Sequence, residues 1–235
     1  MVIRSEIFPP GVGAWRKRAP TPFAWAPFSR TMIEGRTENH LHLKLAAKNG
    51  EAFYPLFQKG VSLRVRVGCS IREFLSSHLG LPAQEIERRI QTVFLDGRVV
   101  DDLDQAFLKD GSTLALSSAM PGLVGATFRR KGILGPFRSS ISIQEGKGPP
   151  SGKEGSIVLK VFNLLLEELV PPFLEQGVWL EKEDWRDFGE RVSPEFWTSL
   201  QEGTINGRKA SLEEIRNPRF PAEGSVIFLT VLFFQ

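Results

Sequence analysis

The sequence of 235 residues predicts an α+β protein in which one small domain occurs twice, each copy a mixed sheet with one main helix packed across it. One observation behind this fold class is a repeated stretch: "PLFQKGVSL" (Pro55–Leu63) matches "PFLEQGVWL" (Pro172–Leu180) without a gap. Four positions are identical and a fifth pairs Gln with Glu. Gly60 therefore corresponds to Gly177, at an offset of 117.

Further anchors support the duplication because they recur in the same order. Two later turns repeat, Asp96-Gly97 as Asn206-Gly207, and Asp110-Gly111-Ser112 as Glu223-Gly224-Ser225. Their offsets are 110 and 113, so small insertions separate the anchors. Three anchors in one order favour an internal duplication over chance.

Two strands with period-two patterning open the first copy. In "HLHLKL" the residues Leu41, Leu43 and Leu45 alternate with polar ones, and "VSLRVRV" repeats the pattern. Turn signals lie between them, at Asn49-Gly50 and Lys59-Gly60. We expect the two strands to form a hairpin with a long connection.

A helix near 70–80 follows in the first copy. Ser70 precedes an amphipathic stretch, with Glu73 at the capping-box spacing and Gly80 at the expected end. Then "TVFLDGRVV" predicts two strands joined by a tight Asp96-Gly97 turn, and "STLALS" predicts a last strand.

The second copy repeats this order. "SIVLKVF" and "GVWLEKE" predict strands, and residues 184–200 predict helix with Asp184 as the N-cap. Asn206-Gly207 predicts the second tight turn, and "SVIFLTVLF" the last strand.

Both copies show the element order of the β-grasp (ubiquitin-like) fold, which is strand, strand, helix, strand, turn, strand. In that fold the first and last strands pair in parallel at the centre of the sheet. We therefore predict two tandem β-grasp domains, at residues 39–120 and 155–235. Residues 1–38 are predicted to be a disordered leader, and residues 121–154 a flexible linker rich in Gly, Pro and basic residues.

Residues 39–120 resemble the sulfur-carrier branch of the β-grasp proteins, the small subunit of molybdopterin synthase and the thiamine sulfur carrier. The stretches that carry the resemblance are "VRVGCSIREFL", "VFLDGRVV" and "LKDGSTLAL". In that family the chemistry belongs to a flexible tail ending in Gly-Gly, whose carboxylate is adenylated and converted to a thiocarboxylate.

This sequence departs from the family at the tail, because neither copy ends in Gly-Gly and Gln235 directly follows the last predicted strand. A sulfur-carrier function would require proteolytic processing of the linker, with Gly122 and Gly132 as candidate cleavage sites. We keep this as the alternative function.

Composition narrows the classes of function. No stretch reaches the ~18 apolar residues of a membrane span, and a single cysteine, Cys69, excludes an intrachain disulfide framework. The net charge of +3 combines a basic excess in the leader and linker with an acidic excess in residues 154–235. Because the basic residues are not clustered on a predicted folded surface, this distribution argues against nucleic-acid binding. No catalytic motif appears, so we predict a cytoplasmic protein that is not an enzyme, with no membrane partner and no cofactor.

The outward positions of the predicted strands are the candidate binding residues for a protein partner. They are His40, His42, Lys44, Arg64, Arg66, Trp179, Glu181 and Glu183. The two copies carry opposite charge on corresponding strands, and an exposed Trp beside charges is typical of an interface anchor. The leading interpretation is a non-catalytic tandem ubiquitin-like module that binds a protein partner, and docking of the two faces on each other within the chain is a further expectation.

Two smaller sites are weighed against ordinary structural roles. His40 and His42 share a face and make metal or small-molecule binding a second alternative, although two ligands do not complete a metal site. Cys69 lies where a strand enters a helix, where the helix N-terminus would lower the pKa of its thiol.

Overall fold

The structure is a computed structural model that describes residues 36–118, 120, 122–130, 132, 152–217, 220–222 and 225–234. In these residues the chain forms ten strands, eight α-helices and a 3-10 helix at Ala47–Phe53. The strands are β1 (Glu38–Ala46), β2 (Val61–Val67), β3 (Thr92–Leu95), β4 (Arg98–Val99), β5 (Thr113–Ser117), β6 (Lys153–Phe162), β7 (Val178–Glu181), β8 (Leu200–Ile205), β9 (Arg208–Lys209) and β10 (Val226–Phe234). The helices are α1 (Tyr54–Lys59), α2 (Ile71–Leu79), α3 (Ala83–Arg89), α4 (Gly122–Phe128), α5 (Leu165–Gln176), α6 (Lys182–Arg191), α7 (Pro194–Thr198) and α8 (Leu212–Arg216).

All ten strands belong to one open mixed sheet, which confirms the predicted α+β class. Across the sheet the order is β4, β3, β5, β6, β2, β7, β10, β1, β8, β9. Within this sheet the neighbours β5–β6 and β1–β10 are parallel, and the other pairs are antiparallel.

The two parallel pairs each join the two halves of the sequence. The first strand of the first copy, β1, lies beside the last strand of the second copy, β10, over nine paired residues. The first strand of the second copy, β6, lies beside the last strand of the first copy, β5. The first-with-last pairing that we expected within each copy therefore occurs between the copies.

The predicted hairpin of β1 with β2 is wrong. Strand β1 lies between β10 and β8, whereas β2 lies between β6 and β7. The reason is the connection, because the residues after β1 form the 3-10 helix and α1 with buried Phe53 and Phe57 rather than a turn. A helical connection carries the chain across the sheet to a strand that runs parallel to the first.

The repeated stretch from which we predicted a duplication has the same structure in both places. Each copy ends a helix, α1 or α5, at a glycine and enters a strand, β2 or β7. Gly60 has φ 127° and ψ 131°, and Gly177 has φ 104° and ψ 140°. In both, the glycine N–H donates to the carbonyl four residues earlier, at 2.8 and 2.9 Å.

The predicted helix near 70–80 is confirmed as α2. Ser70 accepts a hydrogen bond from the Glu73 N–H, and the Glu73 carboxylate accepts one from the Ser70 N–H, which completes the capping box. Gly80 ends the helix in the left-handed conformation, with φ 62°.

The tight turns are also confirmed as equivalent. Asp96 and Gly97 have φ 51° and 77°, and Asn206 and Gly207 have φ 52° and 78°, the positive values that a two-residue hairpin turn requires. The third anchor is not comparable, because residues 223–224 lie outside the described residues.

The second copy has helices α6 and α7 where residues 184–200 predicted them. The predicted N-cap is wrong, since α6 begins at Lys182 with Glu181 as its N-cap residue. Asp184 lies inside the first turn, and its carboxylate pairs with the ammonium group of Lys59. Asp184 therefore forms an ion pair with Lys59 of the first copy instead of capping the helix.

The predicted leader and linker are only partly described. Residues 1–35 and 133–151 lie outside the described residues. Within the predicted linker, Gly122–Phe128 form α4, and β6 begins at Lys153. The domain boundaries at residues 39–120 and 155–235 stay a prediction.

One hydrophobic core lies on the helix side of the sheet and includes residues of both copies. Phe53 of the first copy stacks on Phe188 of α6, with ring centroids 4.9 Å apart, and meets Phe196 of α7 edge-on at 5.6 Å. The aromatic residues of one half therefore complete the core of the other. None of the helices in the described ranges is long and apolar enough to cross a membrane.

Candidate partner-binding face

The candidate residues meet on the side of the sheet opposite this core, which we call the outer face. Alternate residues of four adjacent strands, β2, β7, β10 and β1, point there, while their neighbours are buried in the core. The strand register places Trp179 between Ser62 and Phe228, and Phe228 opposite His40.

Seven of the eight predicted partner residues share this face. They are His40, His42, Lys44, Arg64, Arg66, Trp179 and Glu181. Glu183 does not continue the strand as predicted, because β7 ends at Glu181 and Glu183 belongs to the first turn of α6. The expected docking of two charged faces is replaced by lateral contact, since β2 and β7 are neighbours in one sheet.

Trp179 was predicted to be an exposed anchor, and this is wrong, because only 7% of it is exposed. Its ring centroid lies 4.9 Å from that of Phe228 and 6.2 Å from that of His40, edge-on. Cζ of Arg64 lies 4.9 Å from the ring centroid, in cation–π range. These neighbours come from strands far apart in sequence, so local patterning did not reveal them.

We define the aromatic patch as Trp179, Phe228, Val226 and His40. The first three form a hydrophobic cluster separate from the main core and are 7%, 7% and 6% exposed. His40 adds its ring at 5.5 Å from the centroid of Phe228. Sequence analysis missed Phe228 and Val226, because "VIFLTVLFF" is apolar almost throughout and does not distinguish the two faces of β10.

Arg64 is held beside this patch in partly buried surroundings. Its side chain is 15% exposed, and its Nη2 lies 3.9 Å from Oε1 of Glu38. Burial lowers the pKa of its guanidinium to about 10, against the opposing effects of Glu38 and Glu154. Arg64 therefore stays charged at neutral pH and contributes a cation to the outer face.

Arg36 and Glu181 form a two-pronged ion pair at the border of the aromatic patch. Nη1 of Arg36 donates to Oε1 of Glu181 at 2.9 Å, and Nη2 donates to Oε2. This hydrogen bonding raises the pKa of Arg36, and the charge of Glu183 adds to the effect. Sequence analysis missed Arg36 because it assigned residues 1–38 to the leader.

The two histidines differ in their surroundings. His42 Nδ1 is hydrogen-bonded to the Thr230 hydroxyl, and burial together with nearby His40 lowers the pKa of His42. His40 Nε2 lies 3.8 Å from Oε2 of Glu38. Among the described residues, no three His, Cys, Asp or Glu side chains are placed to hold a metal ion together. The metal alternative thus has no complete ligand set in this part of the chain.

Cys69 does not have the lowered pKa that the helix N-terminus predicted. Its thiol donates to the Arg66 carbonyl oxygen at a sulfur–oxygen distance of 2.9 Å. Burial raises the pKa of the thiol, and the nearby charge of Glu73 raises it further. A raised pKa disfavours the reactive thiolate.

The candidate processing sites flank a segment anchored to the first copy. Gly122 begins α4, and the Gly132 N–H donates to the Arg129 carbonyl at 3.1 Å. Between them Arg130 is 7% exposed, donating to the Ile90 carbonyl at 2.9 Å and to both carboxylate oxygens of Glu87 at 3.1 Å. A tail ending at Gly132 would therefore be held at Arg130.

Comparisons of this chain with family models, with curated proteins and with solved structures each find no match. The resemblance to the sulfur-carrier branch of the β-grasp proteins therefore stays a prediction from the residues.

Proposed function

We propose that this protein is a non-catalytic module that binds a protein partner through the outer face of its sheet. The observation that carries the proposal is convergence: seven candidate residues from β1, β2 and β7 meet on one surface, although β7 follows β2 by more than 100 positions in sequence. The main core lies on the opposite side of the sheet, so the exposed residues of the outer face are those that a partner can contact.

The accessible part of the outer face lies towards the ends of β1 and β10. His42 and Lys44 are exposed, and Leu232, which pairs with Lys44, is 58% exposed. On the other side Lys44 pairs with exposed Glu202 of β8. A cation flanked by an apolar side chain and an anion offers a partner both burial and charge pairing.

We further propose that each half of the sheet derives from a β-grasp unit. The order β2, β6, β5, β3, β4 reproduces that fold if β6 replaces β1 as the first strand. The other half runs β7, β10, β1, β8, β9, so its two central strands stand in the opposite order.

The test is site-specific photocrosslinking in the native cell. Benzoylphenylalanine placed at Lys44 should give a discrete protein adduct, whereas the same group at Leu164, 73% exposed before α5, should not. Circular dichroism of both variants confirms that they are folded. Equal adducts from both positions, or none from Lys44, would contradict binding at the outer face.

The sulfur-carrier alternative makes a separate prediction at the linker. It requires a cut after Gly122 or Gly132 and release of Arg130 from Glu87 and Ile90. Intact mass of the native protein distinguishes the two functions. An uncut chain supports the binding module, and a fragment carrying sulfur on a new carboxyl terminus supports the carrier.

A further inference from the structure

In the first copy, a later segment of the chain closes the edge of the sheet beside β3. The Arg130 N–H donates to the Gln91 carbonyl at 2.8 Å, and its Nη1 donates to the Ile90 carbonyl at 2.9 Å. Its Nε donates to the Asp101 carbonyl at 3.2 Å. Three of the acceptors that hold Arg130 are therefore backbone carbonyls, which depend on the path of the chain rather than on particular side chains.

The corresponding hairpin of the second copy has the same backbone arrangement. Strands β3 and β4 pair in the same register as β8 and β9, at an offset of 110. Val100 and Ala210 each donate their N–H to the first strand of their own hairpin at 2.9 Å. At this offset Gln91 corresponds to Gln201, so the second copy presents a backbone edge of the same shape.

No described segment closes this edge in the second copy. Gln201 is exposed and Leu200, the equivalent of Ile90, is half-buried. Outside the ladder with β1, neither residue forms a hydrogen bond with the rest of the described chain. Strand β9 pairs only with Thr204 and Ile205 of β8. Backbone groups without a neighbouring strand at a sheet edge are a template for an extended segment of another chain.

The charge around the open edge favours a basic segment. Residues 154–235 carry fourteen acidic and eight basic side chains. Glu202 is exposed on β8 itself, and Glu195 is exposed on α7 just before it. Lys44 lies opposite Glu202 in the strand register, but no ion pair joins these two side chains within 4 Å. The Glu202 carboxylate can therefore accept a cation from a bound segment.

Glu202 also lies on the side from which the edge is reached in the first copy. There Phe128 of α4 packs on Phe94 of β3, with ring centroids 5.4 Å apart, before the chain turns to the edge at Arg130. Phe94 and Glu202 both point away from the main core. The carboxylate of Glu87, which receives Arg130, has no counterpart in the second copy, because the equivalent residue is Trp197.

We propose that the edge of β8 at Leu200–Glu202 binds an extended segment of a partner protein that carries an arginine. The arginine takes the place that Arg130 has in the first copy, with its guanidinium shared between the Leu200 carbonyl and the Glu202 carboxylate. Backbone hydrogen bonds to the edge hold the segment, and the arginine selects it. The inference concerns the edge of the sheet and does not depend on the partner proposed for its outer face.

The experiment titrates the ¹⁵N-labelled full chain with a peptide of residues 122–132, "GLVGATFRRKG", which contains Arg130. The amide signals of Leu200–Glu202 should shift and saturate. Those of Ile90 and Gln91 should stay unchanged, because the Arg130 of the chain already occupies that edge. A peptide with Arg130→Gln should bind about tenfold more weakly, since it lacks the charge-assisted hydrogen bonds. A peptide with Arg129→Gln has the same net charge and should bind as the unaltered peptide does.

Two protein variants test the charge at the edge. Glu202→Lys should weaken binding of the unaltered peptide by about tenfold or more, because it places a cation beside the bound arginine. Glu190→Lys makes the same charge change on the exposed surface of α6 and should change binding by less than about twofold, since solvent screens it. The amide spectra of both variants show that they are folded.

Four results would overturn the proposal. The first is no shift at Leu200–Glu202, and the second is equal binding of the two glutamine-substituted peptides. The third is an equal loss of binding in Glu202→Lys and Glu190→Lys. The fourth is a set of shifts centred on His42 and Lys44 instead, which would assign the peptide to the outer face and leave the edge of β8 unused.

Discussion

Replacing Gly177 by alanine tests the outer face at the repeated motif from which we predicted a duplication. A Cβ at Gly177 would lie 2.1 Å from Cζ and 2.5 Å from Cε2 of Phe228, far inside van der Waals contact. The residue also has φ 104° and ψ 140°, a conformation that side chains disfavour. Gly97 is the matched control, since it has φ 77° with no atom within 4 Å of the added Cβ.

The expected destabilisation follows from these two contributions. A non-glycine residue in a region reserved for glycine costs about 1–3 kcal/mol, and overpacking against the Phe228 ring adds about 1–3 kcal/mol. Gly177→Ala should therefore lower the free energy of unfolding by about 2–6 kcal/mol. Gly97→Ala carries the backbone contribution alone, about 1–2 kcal/mol.

Urea unfolding followed by circular dichroism measures both variants, together with Phe228→Leu and the double variant. Phe228→Leu shortens the side chain that meets the new Cβ, so the double variant should be more stable than the sum of the two single effects. Equal losses for Gly177→Ala and Gly97→Ala, or strict additivity with Phe228→Leu, would show that the Phe228 ring does not lie against Gly177.

Three further predictions concern individual side chains. His78 is mostly buried with Nε2 3.3 Å from the Arg64 carbonyl oxygen, and burial lowers its pKa, so the folded protein binds its proton less readily than the unfolded chain. The stability that neutral His78 contributes should thus be complete above pH about 6.5 and be lost as pH falls below it. In His78→Gln the urea midpoint should therefore depend less on pH between about pH 5 and 7.5. Arg130→Ala should cost about 1–3 kcal/mol through its lost hydrogen bonds, against less than about 1 kcal/mol for Arg88→Ala, whose side chain is 66% exposed; similar losses in thermal unfolding would contradict the anchoring of this segment. A double-mutant cycle of Arg64→Ala and Trp179→Leu should give a coupling free energy of about 0.5–2 kcal/mol between the two side chains. A coupling free energy of zero would show that the cation–π contact does not stabilise the fold.

Local features of the fold could be predicted from the sequence because their causes are local. The Ser70–Glu73 capping box needs two residues three positions apart, and the turn at Asp96-Gly97 needs residues that tolerate positive φ. Both appear in the structure as expected. The same holds for the alternation of polar and apolar residues along β1, which assigns its two faces correctly.

Helix α5 shows a local signal that was overlooked. Its buried positions repeat every four residues, Leu165, Leu169 and Phe173 beside Leu166, Val170 and Leu174. Pro171 and Pro172 within the helix argued against it, because proline removes a backbone donor and crowds the preceding turn. Burial of six apolar side chains outweighs that cost.

Strand pairing could not be predicted because it is decided between distant parts of the chain. The patterning of β1 fits equally a partner in its own copy or in the other, and the helical connection through Phe53 and Phe57 selects the other. The burial of Trp179 has the same origin. Its neighbours Arg64, Phe228 and His40 come from three other strands that only the completed sheet brings together.

Cleavage of the linker tests most directly the central claim that the two copies exchange their first strands within one sheet. A protease site inserted between Gly146 and Lys147 separates β1–β5 from β6–β10 in the chain but leaves the β5–β6 and β1–β10 ladders intact. After complete cleavage, native mass spectrometry and size-exclusion chromatography should find both fragments in one particle with the mass of the intact protein, parting only in denaturant. Two separate, folded fragments under native conditions would contradict the exchanged sheet and restore two independent domains.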